Sequence, residues 1–534
     1  MTVRVLTGLL WLATACQAQV PPPAPSPPPA PAQQQPQPPS ARNRAFTYER
    51  QGRFGEAADA FLELTRAEPL RVDWFVAAGR CLGRSGRFAE AIDLLEGARK
   101  TFPGSIEVDT TLAKTFLLQA ESPRTVSPEI QWTDAADLAE QVLKVAPDDE
   151  DSRLILAQAC YLLGDWERAV REAEEAVRRH PQRSGAHILL GRIATDRFAA
   201  LLRQHEQQRP EGRAAADLVA AIDVQRQLAR RSFQRAAELD PQRVHPHLAL
   251  AQLALLDRRS EAALAHLSDA LVIDPDAPAD HGLFDRELDW RRRAAAYAGL
   301  RERYDATAGA EPAKRATLRW YEGRALYDGG QWAAARDCFQ QALADNPEAT
   351  NSHFYLAMCQ YRLGDLDAAT RHAATYAGLD AVAFADVVRA LPGDRRGEIG
   401  AIVQFLGDRA YQRGDAAASR DLNHVIACLA DSADAWNNHA FLCRETGQFD
   451  AALASYQHAL EKEPDSPQLL NDTAVVLQYH LPSPEHLRRA RGMYERAIQL
   501  ADKVLGDTQV NDTLRERANK AKADAQLNLA ALAQ

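Results

Sequence analysis

The chain has little of what a large rigid core or a chemical site is usually built from. Aromatic residues make up only 7% of its 534 residues, and methionine occurs three times. Aliphatic and alanine packing must therefore carry the interior. An excess of positive charge is missing, because the formal net charge is −10 and is spread along the chain. Nucleic acid is thus not expected as a partner, since phosphate backbones are held by a basic face that releases counterions. The seven cysteines (Cys16, Cys81, Cys160, Cys338, Cys359, Cys428 and Cys443) include no C-x-x-C pair, which argues against zinc spacings and against a disulfide framework. The six that follow Cys16 sit in helical patterns, where a thiol packs as a small hydrophobe.

Sequence signatures of catalysis are missing too. There is no G-x-x-x-x-G-K-[ST] phosphate loop, no G-x-S-x-G elbow, no H-E-x-x-H and no dinucleotide-binding glycine fingerprint. His245 and His247 flank Pro246 at a helix start and give no convergent metal geometry. Asp148-Asp149-Glu150-Asp151 precedes a helix, where acidic groups favour the N-terminus. His439 and His458 lie on regular helices without a partner motif. The expectation is a chain that is not an enzyme and uses no cofactor or metal.

At the N-terminus, Arg4 is followed by an apolar run from Val5 to Ala15, too short to span a bilayer and suited to a secretory signal. It ends Leu12-Ala13-Thr14-Ala15-Cys16, which resembles a bacterial lipobox, with Ala13 where Leu or Val is usual. The resemblance implies that Cys16 is the lipidated first mature residue. Gln17 after it, rather than Asp, implies the outer membrane. Ala13 and Ala15 also satisfy the small-x-small rule of ordinary signal cleavage. The expected location is periplasmic or outer-membrane, the alternative cytoplasmic. From Pro21 to Ser40 the chain reads PPPAPSPPPAPAQQQPQPPS, a polyproline-type tether of on the order of 60 Å when extended.

Beyond the tether an internal repeat governs the chain. The element G-x-[FWL]-x-x-A-x-x-x-[FLYA]-x-x-A-x-x-x-x-P first runs through Gly52, Phe54, Ala57, Phe61 and Pro69. It recurs through Gly86, Phe88, Ala91, Leu95, Ala98 and Pro103. Later copies carry Gly164, Trp166, Ala169, Ala176 and Pro181, and then Gly330, Trp332, Ala335, Phe339, Ala342 and Pro347. The clearest late copy is Trp436, Gly447, Phe449, Ala452, Tyr456, Ala459 and Pro464. Gly364 and Gly414 mark two more, and weaker copies centre on Ala135 and Pro147, Ala263 and Pro275, and Ala490 and Ala497. The glycine ends a first helix A, the alanines let helix B approach it, the larger residue fills the gap to the next pair, and the proline stops helix B. From about Ala41 to Leu500 these residues resemble the tetratricopeptide repeat. The resemblance implies an all-α fold, an α-α superhelix of about ten helix pairs with irregular insertions, right-handed and concave on one side.

Three stretches leave the register. Residues 195–224 are extra helical sequence, expected to lengthen both helices of one repeat. Residues 120–132 hold Pro123 and Pro128 and suggest a loop. Residues 276–312 diverge and suggest an irregular pair or a hinge. The expected division is a signal over 1–15, a linker over 16–40, an N-terminal array over 41–275, a divergent segment or hinge over 276–315, a C-terminal array over 316–506, and a capping helix and tail over 507–534.

In the family, ligands contact helix A on the concave side. Counting back from each turn glycine, those positions hold Trp320, Arg324 and Tyr327, then Phe354, Met358 and Tyr361, then Gln404, Asp408 and Tyr411. Asn437, Phe441 and Arg444 follow, then Asn471, Val475 and Gln478. Aromatics there offer large contact area, and Asn437 and Asn471 are placed to hydrogen-bond a bound backbone. The Lys/Arg set of the family's dicarboxylate clamp is missing. The expected function is a scaffold that binds peptide or helix segments of protein partners at the bacterial cell envelope. The alternative is an accessory or regulatory subunit of a separate envelope enzyme or assembly complex.

Overall fold

The computed structural model describes residues 41–507 and 509–532, which contain helices and no strand. The signal, Cys16 and the proline-rich tether lie outside the described residues. The described residues divide into two compact units, with the boundary between Asp165 and Trp166.

In the first unit, α1 (Ala41–Arg50) pairs with α2 (Phe54–Ala67), α3 (Val72–Arg84) with α4 (Phe88–Thr101), and α5 (Ile106–Ala120) with α6 (Pro128–Val145); α7 (Glu150–Leu162) closes the stack. The residues between α5 and α6 form a shorter loop than expected, because Pro128 opens α6 at a position that needs no N–H. Asp149 caps α7 by accepting a hydrogen bond from the Ser152 amide at 2.8 Å, the structural role that the acidic run suggested.

The second unit opens with α8 (Trp166–Arg179), followed by the long pair α9 (Ser184–Gln208) and α10 (Gly212–Leu239). Residues 195–224 are taken up in these two helices. Their close approach needs Gly191, where a Cβ would stand 2.8 Å from the Phe233 ring. Next come α11 (Val244–Leu256) and α12 (Ser260–Ile273), then α13 (His281–Glu287) and α14 (Trp290–Asp305). The divergent segment forms an irregular helix pair, α13 and α14. Leu283, Phe284, Tyr297 and Leu300 share one core with Leu267 of α12 and with Leu318 of α15 (Pro312–Asp328). The stack continues through α16 (Trp332–Asp345), α17 (Ser352–Leu363), α18 (Leu366–Leu379) and a short additional α19 (Ala381–Arg389). Then follow α20 (Gly393–Gln412), α21 (Ala416–Ala430), α22 (Ala433–Glu445) and α23 (Phe449–Lys462). Last are α24 (Pro467–Val475), extended by a π-helical turn at Val476–His480, α25 (Pro484–Gly506) and α26 (Asp512–Leu532).

Repeat positions account for the packing. Ala57, Ala91, Ala169, Ala335, Ala452 and Ala490 are fully buried at the helix crossings, and Phe61, Leu95, Phe339 and Tyr494 fill the gaps between them. Most helices A end in the same hydrogen-bonded turn, as in Gln331 N–H to Leu326 O at 2.9 Å and Gln448 N–H to Cys443 O at 2.8 Å. The turn glycines, Gly330 and Gly447 among them, hold φ between +71° and +84°.

The α11–α12 turn makes the same bond, Arg259 N–H to Ala254 O at 2.8 Å, but places Arg258 in the left-handed region at φ +58°. A side chain there costs about 1–2 kcal/mol, offset in part by the entropy that glycine loses on folding. Arg258→Gly is therefore expected to stabilise the second unit by about 0.5–1 kcal/mol, seen as a higher urea midpoint. An unchanged or lower midpoint would show that the Arg258 side chain contributes more than its exposed position suggests.

Candidate functional site

Helix A supplies the surfaces that repeat stacking leaves uncovered. In the second unit, Trp320 on α15 is half-buried, edge-on to Tyr321 at 5.0 Å and to Tyr355 at 5.5 Å. Its Nε1 is buried without a hydrogen-bond partner. The ring lines a cavity of about 500 Å³ together with Thr317, Tyr321, Asn346, Glu348 and Asn351. Arg324, one turn on, lies 6.0 Å over the Trp320 ring and bonds Asp285 at 3.2 Å. Tyr327 turns inward and packs edge-on against Trp332 and Tyr355. Burial raises its hydroxyl well above the ordinary tyrosine range.

Along α17 and α20 a second surface forms. Tyr361 is half-buried and edge-on to Phe405 at 6.0 Å. Phe405 and Tyr411 are 45% and 52% exposed, so both present apolar area to solvent. Gln404 and Asp408 bond each other at 2.9 Å. Phe405 was missed in the sequence because it lies one position past Gln404, and the count back from the turn glycine singles out Gln404. A solvent-facing Phe in a chain with few aromatics was the available signal.

Four expected contact positions, Phe354, Met358, Asn471 and Gln478, are corrected, because all are buried. Phe354 is 2% exposed and Met358 1%, because Phe384 of α19 packs edge-on against Phe354 at 5.4 Å. The short helix α19 lies outside the repeat register and covers this face. Asn471 is 5% exposed, and its Oδ1 accepts a hydrogen bond from Asn528 on α26 at 3.3 Å. Gln478 also reaches α26, donating to the Asn528 carbonyl at 3.4 Å. The terminal helix thus occupies the place a bound backbone would take. Asn437 keeps a buried Oδ1 without a partner and lines a cavity of about 120 Å³ with Asp434, Gln468 and Arg517. Arg444 lies 5.4 Å over the Phe441 ring.

The first unit carries a groove that sequence reading did not single out. A cavity of about 500 Å³ runs between Arg80 and Arg84 of α3, Thr111, Lys114 and Leu118 of α5, and Asp151 of α7. Arg80 pairs with Glu49 at 2.7 Å and Lys114 with Asp151 at 2.5 Å. Its polar helix A residues carry no repeat-motif signal.

Buried histidines and thiols serve packing. His439 Nδ1 meets Ser455 Oγ at 2.9 Å, and its other ring nitrogen meets Cys443 Sγ at 3.3 Å. Burial pushes the imidazole down to about 3 and the thiol up to about 11, so at neutral pH neither is charged.

Helix pairs stacked in register, with uncovered helix A faces, define an α-α repeat scaffold. Tetratricopeptide repeat models match residues 43–106, 225–278 and 322–384, residues 131–193, and residues 433–466. The chain belongs to the tetratricopeptide repeat family, whose repeats generally mediate protein–protein interaction. No curated protein matches it in sequence. Similar solved structures include the APC/C hetero-tetramer Cut9–Hcn1, at 13% identity, covering 90% of this chain and 96% of that one with a TM-score of 0.29. A second is a tetratricopeptide protein of the thermophile Thermus thermophilus, at 18% identity, covering 47% and 99% with a TM-score of 0.23. A third is MamA MSR-1 C2, at 19% identity, covering 38% and 95% with a TM-score of 0.25. Among the described residues no helix is long and apolar enough to cross a membrane.

Proposed function

We propose that this chain is an exported, lipid-anchored scaffold that holds protein partners at the bacterial cell envelope, gripping a peptide or helix segment along the helix A faces of its second unit. The observation that carries the docking reading is the aromatic surface of Tyr361, Phe405 and Tyr411. Other large rings of the unit, such as Phe339, Phe354, Phe384 and Tyr456, are interior. Rigid rings left in solvent offer contact area at modest entropy cost. The envelope reading rests on the apolar run ending at Cys16 and on the proline-rich tether behind it.

A photo-crosslinking residue at position 405, in cells that make the full chain, is expected to trap a discrete partner. Tyr361→Ala with Tyr411→Ala should weaken capture of that partner about tenfold or more, with a stability loss of about 1–2 kcal/mol, because Tyr361 is half-buried against the core. A loss of several kcal/mol of stability instead would place these tyrosines in the core. Mass spectrometry of the mature N-terminus should find an acylated Cys16, and Cys16→Ala should release the chain from membranes. An intact Met1 on a chain in the cytoplasm would overturn the envelope reading and leave the docking surface standing. One stoichiometric enzyme partner would favour an accessory subunit over a general scaffold.

A further inference from the structure

The α11–α12 pair gathers three donor groups that belong to none of the surfaces above. His247 lies on α11, and His266 and Asp269 lie one turn apart on α12, with one donor atom of each within 4.8 Å of the other two. In the sequence His247 stood beside His245, and that pair has no convergent geometry. The fold supplies the second imidazole from the next helix, 19 positions away, and leaves His245 exposed.

The arrangement has the marks of a ligand set. Spacing of three residues puts His266 and Asp269 on one face of α12, against which α11 packs. His247 Nδ1 is buried and has no hydrogen-bond partner, so one of its ring nitrogens is committed to no protein group. Asp269 accepts a hydrogen bond from Arg303 of α14 through Oδ1 at 2.8 Å. That bond orients the carboxylate as an outer-shell partner does and leaves Oδ2 for another ligand. Nearby charge is mixed: Arg230 is offset by Asp257 at 3.2 Å, whereas Arg259 opposes a cation and lowers its affinity.

We propose that His247, His266 and Asp269 bind one divalent ion of the zinc class, with water in the fourth tetrahedral position. Two imidazoles and a carboxylate suit Zn²⁺, with bonds of about 2.0–2.2 Å. Tetrahedral edges are then about 3.3 Å, so donors that now lie within 4.8 Å of one another draw together on binding. The ion ties helix A to helix B in a pair whose turn holds Arg258 in the left-handed region, and through Arg303 it braces α14.

The test titrates the full chain, stripped with chelator, with Zn²⁺ by calorimetry and with Co²⁺ by absorption. The expected result is one equivalent per chain and a tetrahedral Co²⁺ spectrum without sulfur charge transfer, with a higher Tm in the presence of Zn²⁺. His266→Ala and Asp269→Asn should each weaken binding at least about tenfold, and His245→Ala should leave it unchanged, with circular dichroism confirming that each variant is folded. Three results would overturn the site: no equivalent bound by the wild type, a sulfur-dominated Co²⁺ spectrum that moves the ion to a cysteine, or undiminished binding in the folded His247→Ala/His266→Ala variant. Calorimetry and the Co²⁺ spectrum read the wild type alone, so no bound equivalent or a sulfur-dominated spectrum overturns the site even if the variants do not fold.

Discussion

Phe339→Ala is expected to lower the unfolding free energy of the second unit by about 3–5 kcal/mol, the cost of emptying a closed aromatic site. Phe339 is fully buried. Its ring stacks on Tyr355 at 4.9 Å and 14° and lies so close to α15 that a Cβ on Gly323 would meet it at 3.0 Å. The ring therefore joins α15, α16 and α17. Stacked repeats derive much of their stability from nearest-neighbour interfaces. The loss should thus uncouple the helices on either side, and the thermal transition should broaden or split as well as move down. Tyr411→Ala, at an exposed ring, is the control and should change stability by no more than about 0.5 kcal/mol. Equal effects from the two substitutions would mean that Phe339 does not close the core.

Acidification is expected to be nearly as costly. Burial pushes the imidazole of His439 down to about 3, and those of His281 and His372 down to about 4. In the unfolded chain a histidine takes its proton near pH 6.5. Below that pH the unfolded chain binds protons that the folded chain refuses, so stability is complete above pH 6.5 and falls as the pH drops toward 4 and 3. At pH 5 the deficit is about 1.5 pH units per histidine, or about 2 kcal/mol each at 1.36 kcal/mol per unit. The three together should cost about 3–6 kcal/mol. Asp134 and Asp472 act in the opposite direction, because burial raises their carboxyls, but His353 and His424 are lowered by burial as well and add to the three. Thermal melts at pH 7.5 and pH 5.0 should show a clear fall in Tm. His439→Gln should flatten the dependence, since glutamine takes no proton. A Tm that is level across this interval would remove the buried histidines from the account.

The repeats were legible in the sequence because each is a local pattern. Gly447, Ala452, Tyr456 and Ala459 lie within one helix-turn-helix, and their spacing alone sets which residues end a helix, cross it or fill a gap. The same local logic explains why residues 195–224, which keep a helical period, lengthen α9 and α10. Residues 276–312, expected as an irregular pair or a hinge, lack the repeat spacing, yet Phe284 and Tyr297 bury themselves against α12 and α15. A missing motif is not a missing core.

The candidate surfaces depended on contacts that the repeat does not encode. Trp320 and Phe354 occupy the same repeat position, ten residues before the turn glycine. One lines a cavity and the other is sealed, because α19 brings Phe384 onto it. Asn437 and Asn471 are equivalent in the same way, but α26 bonds Asn471 through Asn528. His247, His266 and Asp269 meet because α11 packs on α12, and the sequence holds no spacing rule for donors on different helices. By itself, then, the sequence determined the all-α repeat architecture and the family, since both rest on nearest-neighbour periodicity. Which helix A faces stay open, which histidines converge and which imidazoles are denied a proton were decided only by tertiary structure. Exposure, convergence and desolvation are properties of the packed neighbours, and those neighbours arrive from helices outside the local pattern.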